Sequence, residues 1–137
     1  MSVLCTMPLF VYGTLRVGST HEHLLPGPRV AARTWGHLFH LGAGYPALVP
    51  EPIQEVRGDL AWLLEPESEL RELDRYEGAE AGARDPLYVR RFWPVWAMGH
   101  WLEAYCYVMA RPKALAMGGI WVEDGDWLEW KGSRAYR

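Results

Sequence analysis

Apolar runs, separated by clusters of glycine and proline, follow one another along most of the chain. Short apolar or alternating runs bounded by turn-forming residues are typical of strands. Glycine and proline residues within 42–52 predict a loop there. In the C-terminal tail we expect a last strand or a docked extension. The pattern predicts strands at residues 9–15, 29–41, 55–64, 87–97 and 101–109.

One segment has the signals of a longer helix. Pro66 suits the first helical position, acidic residues follow it, and Gly78 stands where a C-terminal cap belongs. These signals predict a helix over 66–76, with at most one or two helical turns at 21–25. Five or six strands with so little helix predict an α+β fold, a small mixed β-barrel whose closure protects the strand edges.

The length of 137 residues suits one domain with one core. We expect a single domain over 1–137, with a motif core at about 8–109 and a C-terminal extension at 110–137. The eight tryptophans predict an aromatic-rich core, with some rings left to line a pocket or an interface.

Charge and hydropathy restrict the partners. The net charge is −3 and no run of lysine and arginine occurs, which argues against nucleic acid. Residues 1–10 contain no apolar run long enough for a signal peptide or a membrane helix, so we expect a cytoplasmic protein without a membrane partner. A monomer and a homodimer both remain open.

The predicted helix carries a candidate acid/base residue. Leu70 and Leu73 define its apolar face, and Tyr76 and Glu77 are the next residues on that face. Glu77 is thus expected to point inward, where burial and the negative end of the helix dipole both raise a carboxylate pKa towards neutrality. On spacing alone, the commoner alternative is that Glu77 caps the helix end or pairs with an arginine.

A second candidate site follows the first strand. A glycine leaving a buried strand, as in Tyr12-Gly13-Thr14-Leu15, allows backbone N–H groups to form an anion-binding nest. Such turns are common and most bind nothing. No metal site is predicted, because His21 and His23 read as surface residues, and Cys106 reads as a buried, inert thiol. No cofactor is expected, since dinucleotide and phosphate-loop fingerprints are lacking.

Four short segments stand out along the chain: VYGTLR at 11–16, YPAL at 45–48, LDRYEG at 73–78 and PLYVR at 86–90. Two later segments follow at 104–108 and 125–127, so the set runs from about Phe10 to Trp127 and covers most of the chain. In their sequence and order, these segments resemble the motifs of the γ-glutamyl cyclotransferase-like, or AIG2-like, family.

The resemblance implies a small barrel with one cavity, in which Glu77 is the catalytic acid/base. It implies that the loop of Tyr12, Gly13, Thr14 and Leu15 holds the carboxylate end of a γ-glutamyl group. It further implies that the remaining substrate-binding residues are Tyr88, Arg90 and, on the opposite side, Tyr107.

The implied reaction is cyclisation of a γ-glutamyl amine or γ-glutamyl amino acid to 5-oxoproline, with release of the amine and without a cofactor. The leaving amine stays open among an amino acid, a cysteinyl peptide, a crosslink lysine and a polyamine. One alternative is a non-catalytic module of the same fold that binds a small anionic metabolite. Another is a hydrolase that uses Cys106 or a histidine.

Overall fold

The computed structural model describes residues 7–134, in which six strands form one sheet. The strands are β1 (Leu9–Val11), β2 (Arg29–His40), β3 (Pro46–Ala61), β4 (Val89–Ala97), β5 (His100–Val108) and β6 (Ile120–Trp121). The helices are α1 (Pro66–Tyr76), α2 (Arg111–Ala116) and α3 (Trp127–Arg134), with one 3-10 turn at Glu22–Leu24.

The first five strands close into a barrel. β3 pairs antiparallel with β1, β1 pairs parallel with β5, and β5 pairs antiparallel with β4. β2 completes the circle, because it pairs antiparallel with β3 along its length and with β4 at Arg33. The short strand β6 adds to the end of β2 at Phe39 and His40. The predicted α+β fold with a small mixed barrel is therefore confirmed.

The predicted loop at 42–52 is wrong, because β3 already begins at Pro46. Opposite β3, Gly36 pairs with Gln54 whereas the next residue, His37, pairs with Val49. Residues 50–53 therefore bulge out of the ladder, and Pro50 and Pro52 fall within this bulge. A proline there removes no ladder hydrogen bond, so the strand tolerates a composition that resembles a loop.

The helix predicted over 66–76 is confirmed with those bounds. Gly78 follows its C-terminal cap residue with φ of +64°, in the left-handed region that favours glycine. The tight turn between β4 and β5 is present as well, and its residues Met98 and Gly99 both have positive φ. Both features depend on residues close in sequence.

The tail contains the expected last strand, β6, and it also forms two helices, α2 and α3, that the sequence did not predict. Each is short and lacks a long amphipathic period. α3 begins at Trp127, whose side chain is fully buried against the barrel. Contacts with distant residues rather than local propensity thus stabilise this helix.

The expectation of an aromatic-rich core is only partly met. Among residues 7–134, Trp127 is the one tryptophan that is fully buried, and most of the core side chains are aliphatic. Trp35, Trp101 and Trp121 are 48%, 50% and 45% exposed on the outside. A narrow five-stranded barrel has room in its interior mainly for smaller side chains.

Within residues 7–134, no helix is long and apolar enough to span a bilayer.

Candidate active site

A cavity of about 410 Å³ lies at one end of the barrel. Its walls come from the loop after β1, the start of β3, the end of α1 and the end of β5. The structure therefore brings together segments that are far apart in the sequence. Of the predicted site residues, those that line the cavity are Glu77, Tyr12, Gly13, Thr14, Leu15, Tyr88 and Tyr107.

Glu77 occupies the C-terminal cap position of α1, and its backbone N–H donates to the carbonyl of Leu73 at 2.8 Å. Its carboxylate faces the cavity and, within residues 7–134, has no hydrogen-bond or ion-pair partner. Desolvation raises the pKa of Glu77 to about 7. Among residues 7–134, the carboxylate neither caps the helix nor pairs with an arginine, so the described contacts give Glu77 neither of these two structural roles.

The loop after β1 presents a row of backbone donors. Its carbonyls are engaged, because Arg16 N–H donates to Gly13 at 3.0 Å and His21 N–H donates to Thr14 at 2.8 Å. Within residues 7–134, the N–H groups of Gly13, Thr14 and Leu15 have no acceptor, although Gly13 and Leu15 are buried. Buried N–H groups without an acceptor are uncommon in proteins, and they suit an incoming anion. We call residues 12–15 the anion loop.

Two contacts fix the position of the anion loop. A Cβ at Gly13 would come within 2.5 Å of Pro46 Cγ, so only glycine allows the loop to approach β3 this closely. On the other side, the hydroxyl groups of Thr14 and Tyr76 are hydrogen-bonded at 2.9 Å. The loop is thus held between the first residue of β3 and the last residue of α1, beside Glu77.

Three tyrosines form rigid, neutral walls. The hydroxyl of Tyr12 donates to the carbonyl of Tyr107 at 2.6 Å and accepts from the N–H of Leu48 at 3.1 Å. Tyr88 donates to the carbonyl of Pro46. Burial raises the pKa of Tyr12, Tyr88 and Tyr107 above the ordinary value. These hydroxyls already have partners and stay protonated, so they shape the cavity rather than exchange protons.

Arg90 does not line the cavity, which departs from its expected place among the substrate contacts. Its guanidinium donates two hydrogen bonds to the carboxylate of Asp74, at 2.8 and 3.0 Å. The same carboxylate accepts a hydrogen bond from Tyr107 at 2.6 Å. Because Asp74 neutralises it and holds it in place, Arg90 links α1 to the barrel instead of facing a ligand.

Several cavity residues were missed by the sequence interpretation. Tyr45 and Tyr76 belong to the recognised motifs, so their position beside the motif residues was the available signal. His21, expected on the surface, lines the cavity and packs against the ring of Tyr76 at 5.2 Å. Lys131, which also lines the cavity, lies outside all the motifs.

Cys106 is fully buried in the barrel and does not line the cavity. Burial raises the pKa of its thiol, which agrees with the predicted inert residue. Among residues 7–134, no group of three or more histidine, cysteine, aspartate or glutamate side chains is arranged to hold a metal ion.

The chain is similar to known proteins along most of its length. The family model for γ-glutamyl cyclotransferase, AIG2-like, matches residues 9–129. No curated protein sequence matches significantly.

Among solved structures, YkqA from Bacillus subtilis is 26% identical with a TM-score of 0.72, and the match covers 96% of this chain and 43% of that chain. The present chain thus spans less than half the length of YkqA. At5g39720.1 from Arabidopsis thaliana is 25% identical with a TM-score of 0.65, covering 96% and 84%. An AIG2-like protein from Mus musculus is 22% identical with a TM-score of 0.57, covering 77% and 78%, and shows the shared fold.

Proposed function

Because the chain belongs to the γ-glutamyl cyclotransferase, AIG2-like family, we propose that it is an enzyme that converts a γ-glutamyl amine or γ-glutamyl amino acid to 5-oxoproline and a free amine. The observation that carries this proposal is the carboxylate of Glu77. It faces the cavity, has no partner within residues 7–134, and has a pKa raised to about 7.

The reaction needs one group that first takes a proton and then returns it. In the substrate, the α-amine attacks the γ-carbonyl carbon, and a C–N bond forms to close the five-membered ring. Glu77 takes the proton that the attacking ammonium loses. It then donates a proton to the leaving nitrogen as the original C–N bond breaks. A carboxylate with a pKa near 7 suits both steps, because both of its protonation states are accessible near neutrality.

The reaction also needs hydrogen-bond donors for the negative charge of the substrate, and the anion loop supplies them. Its N–H groups at Gly13, Thr14 and Leu15 can donate hydrogen bonds to the substrate carboxylate or to the oxyanion of the tetrahedral intermediate. The tyrosine walls hold the flexible γ-glutamyl chain in a folded pose, which brings the amine and the carbonyl together. The nucleophile belongs to the substrate, so the mechanism needs no protein thiol, and the burial of Cys106 argues against a hydrolase that uses it.

A release assay tests the proposal. Purified protein is incubated with γ-glutamyl amino acids, γ-glutamyl-ε-lysine, a γ-glutamyl polyamine and glutathione, and 5-oxoproline is detected by mass spectrometry. We expect release from at least one class of substrate and its loss in Glu77→Gln. The matched control is Glu80→Gln, because Glu80 follows α1 but is exposed and lies outside the cavity, 3.7 Å from Arg75.

The outcomes distinguish an enzyme from a non-catalytic binding module of the same fold. Release that survives in Glu77→Gln would remove Glu77 from the mechanism. No release from any substrate, together with stabilisation of the protein by a γ-glutamyl compound or 5-oxoproline, would favour the non-catalytic binding module. Release that is lost in Glu77→Gln and kept in Glu80→Gln would establish the reaction and identify the leaving amine.

A further inference from the structure

Helix α3 lies directly behind the anion loop. The indole of Trp127 is fully buried, and its Cε3 atom lies 3.8 Å from the place where a Cβ of Gly13 would be. Just before the helix, the carboxylate of Asp126 accepts a hydrogen bond from the guanidinium of Arg16 at 3.0 Å. Arg16 is the residue that follows the anion loop, so α3 is attached to this loop by an apolar contact and by an ion pair.

Lys131 lies one helical turn after Trp127, on the same face of α3. Its Nζ atom is 4.8 Å from the centroid of the Trp127 ring, and the side chain lines the cavity together with Gly13 and Glu77. Trp127, which packs behind Gly13, therefore also holds the lysine against the cavity that contains the anion loop.

The charges around Lys131 single it out. Glu77 and Lys131 are the two cavity-lining residues with side chains of the ordinarily charged kinds, aspartate, glutamate, lysine and arginine. Within residues 7–134, no carboxylate lies within 4.0 Å of Lys131 Nζ. Lys113, in contrast, has Asp85 at 2.6 Å and lies outside the cavity. Lys131 is thus a cation that lines the same cavity as the anion loop, with no protein anion to neutralise it among the described residues.

We propose that Lys131 binds the α-carboxylate of the γ-glutamyl group, acting with the N–H groups of the anion loop. The inference rests on the proposed function, because it takes the ligand to be a γ-glutamyl compound. It assigns to the tryptophan-rich tail a part of the substrate site: Trp127 supports the anion loop from behind and positions the lysine. Because Lys131 is exposed, its attraction for the carboxylate is screened by salt.

Steady-state kinetics test this role with Lys131→Gln, Lys131→Arg and the control Lys113→Gln. Each is measured on two substrates, a γ-glutamyl alkylamide, whose leaving amine has no carboxylate, and a γ-glutamyl amino acid. For Lys131→Gln we expect KM to rise about two- to fivefold on both substrates, as for loss of an exposed charge pair. The rise in KM should shrink at high salt, whereas kcat should change much less than KM. Lys131→Arg should restore most of the affinity, and Lys113→Gln should behave as the wild type.

Calorimetric titration with 5-oxoproline and with its uncharged carboxamide separates this inference from the proposed function. Lys131→Gln should weaken binding of the acid and leave binding of the amide unchanged. An unchanged KM and unchanged 5-oxoproline binding in Lys131→Gln would overturn the role of Lys131 while the cyclisation stands. A rise in KM confined to the γ-glutamyl amino acid would overturn it too, because the lysine would then contact the leaving group. If the wild type releases no product but Lys131→Gln still binds 5-oxoproline more weakly, the proposed cyclisation would be wrong. Lys131 would then still be an anion-binding residue.

Discussion

At the scale of single residues, the raised pKa of Glu77 affects both the proposed proton transfer and the free energy of unfolding. The carboxylate is partly buried, and desolvation raises its pKa from 4.5 to about 7. No hydrogen bond or cation among residues 7–134 offsets this desolvation. The ionised form of Glu77 therefore destabilises the folded protein, as is common for residues that are arranged for catalysis rather than for stability.

The pH dependence of unfolding should reveal this cost. The folded protein binds the Glu77 proton more tightly than the unfolded chain, so the wild type loses stability as the pH rises from about 4.5 through 7. In Glu77→Gln this loss should be absent, which gives a difference of at most about 3 kcal/mol at pH 8, reduced by solvent in the open cavity. Urea denaturation at pH 5 and pH 8 measures the difference. An equal pH dependence in both proteins would contradict the raised pKa.

At the scale of elements, hydrogen bonds to the carboxylate of Asp74 attach the end of α1 to the barrel. Desolvation raises the pKa of this carboxyl, but the hydrogen bonds from Arg90 and Tyr107 outweigh it and hold the pKa below 3.8. The contacts therefore join α1 to β4 and β5. Glu77 lies three residues after Asp74, so these contacts also set where the Glu77 carboxylate lies in the cavity.

Asp74→Ala should lower both stability and turnover. The change leaves the hydroxyl of Tyr107 and the guanidinium of Arg90 without their acceptor, which we expect to cost about 1–3 kcal/mol. Because the pKa of Asp74 is depressed in the folded state, its contribution is present at neutral pH and is lost in acid, below about pH 4. Thermal unfolding at pH 7 and pH 3, compared with Asp85→Ala, whose side chain is 85% exposed, measures this. Equal melting temperatures for the two variants at pH 7 would show that the link is dispensable.

At the scale of the whole molecule, the tail belongs to the core of the barrel. Trp127 is fully buried, and its indole N–H donates to Nδ1 of His40 on β2 at 3.0 Å. The family model ends at residue 129, so the matched region includes this tryptophan and the start of α3. The matched region therefore extends beyond residue 110, into the segment expected from the sequence to be a C-terminal extension.

Trp127→Ala should be far more harmful than a change at an external tryptophan. Removing the buried indole should cost about 3–5 kcal/mol, a large share of the stability of a small domain. Trp101→Ala is the control, because Trp101 is 50% exposed and its loss should cost much less. Differential scanning calorimetry measures both. The anion loop should loosen in Trp127→Ala as well, since the ring packs behind Gly13, and weaker binding of 5-oxoproline by the folded variant would report this. Similar melting temperatures for the two variants would contradict a core role for Trp127.

The sequence by itself determined the features that depend on neighbouring residues. Pro66 and Gly78 mark the limits of α1 because each constrains its own backbone conformation, and the turn at Met98 and Gly99 is local in the same way. The helical period also predicted that Glu77 points inward, and in the structure Glu77 lines the cavity. The ordered motifs indicated the family, which the family model confirms.

Only the tertiary structure decided features that depend on distant partners. Pro50 and Pro52 lie within a strand because β2 shifts register opposite them, and Arg90 leaves the cavity because Asp74 on α1 binds it. Lys131 lines the same cavity as the anion loop because it packs over Trp127, which is buried behind Gly13. Residues that approach across a barrel leave no periodic or local signal in the sequence, and their mutual distances arise only when the sheet closes.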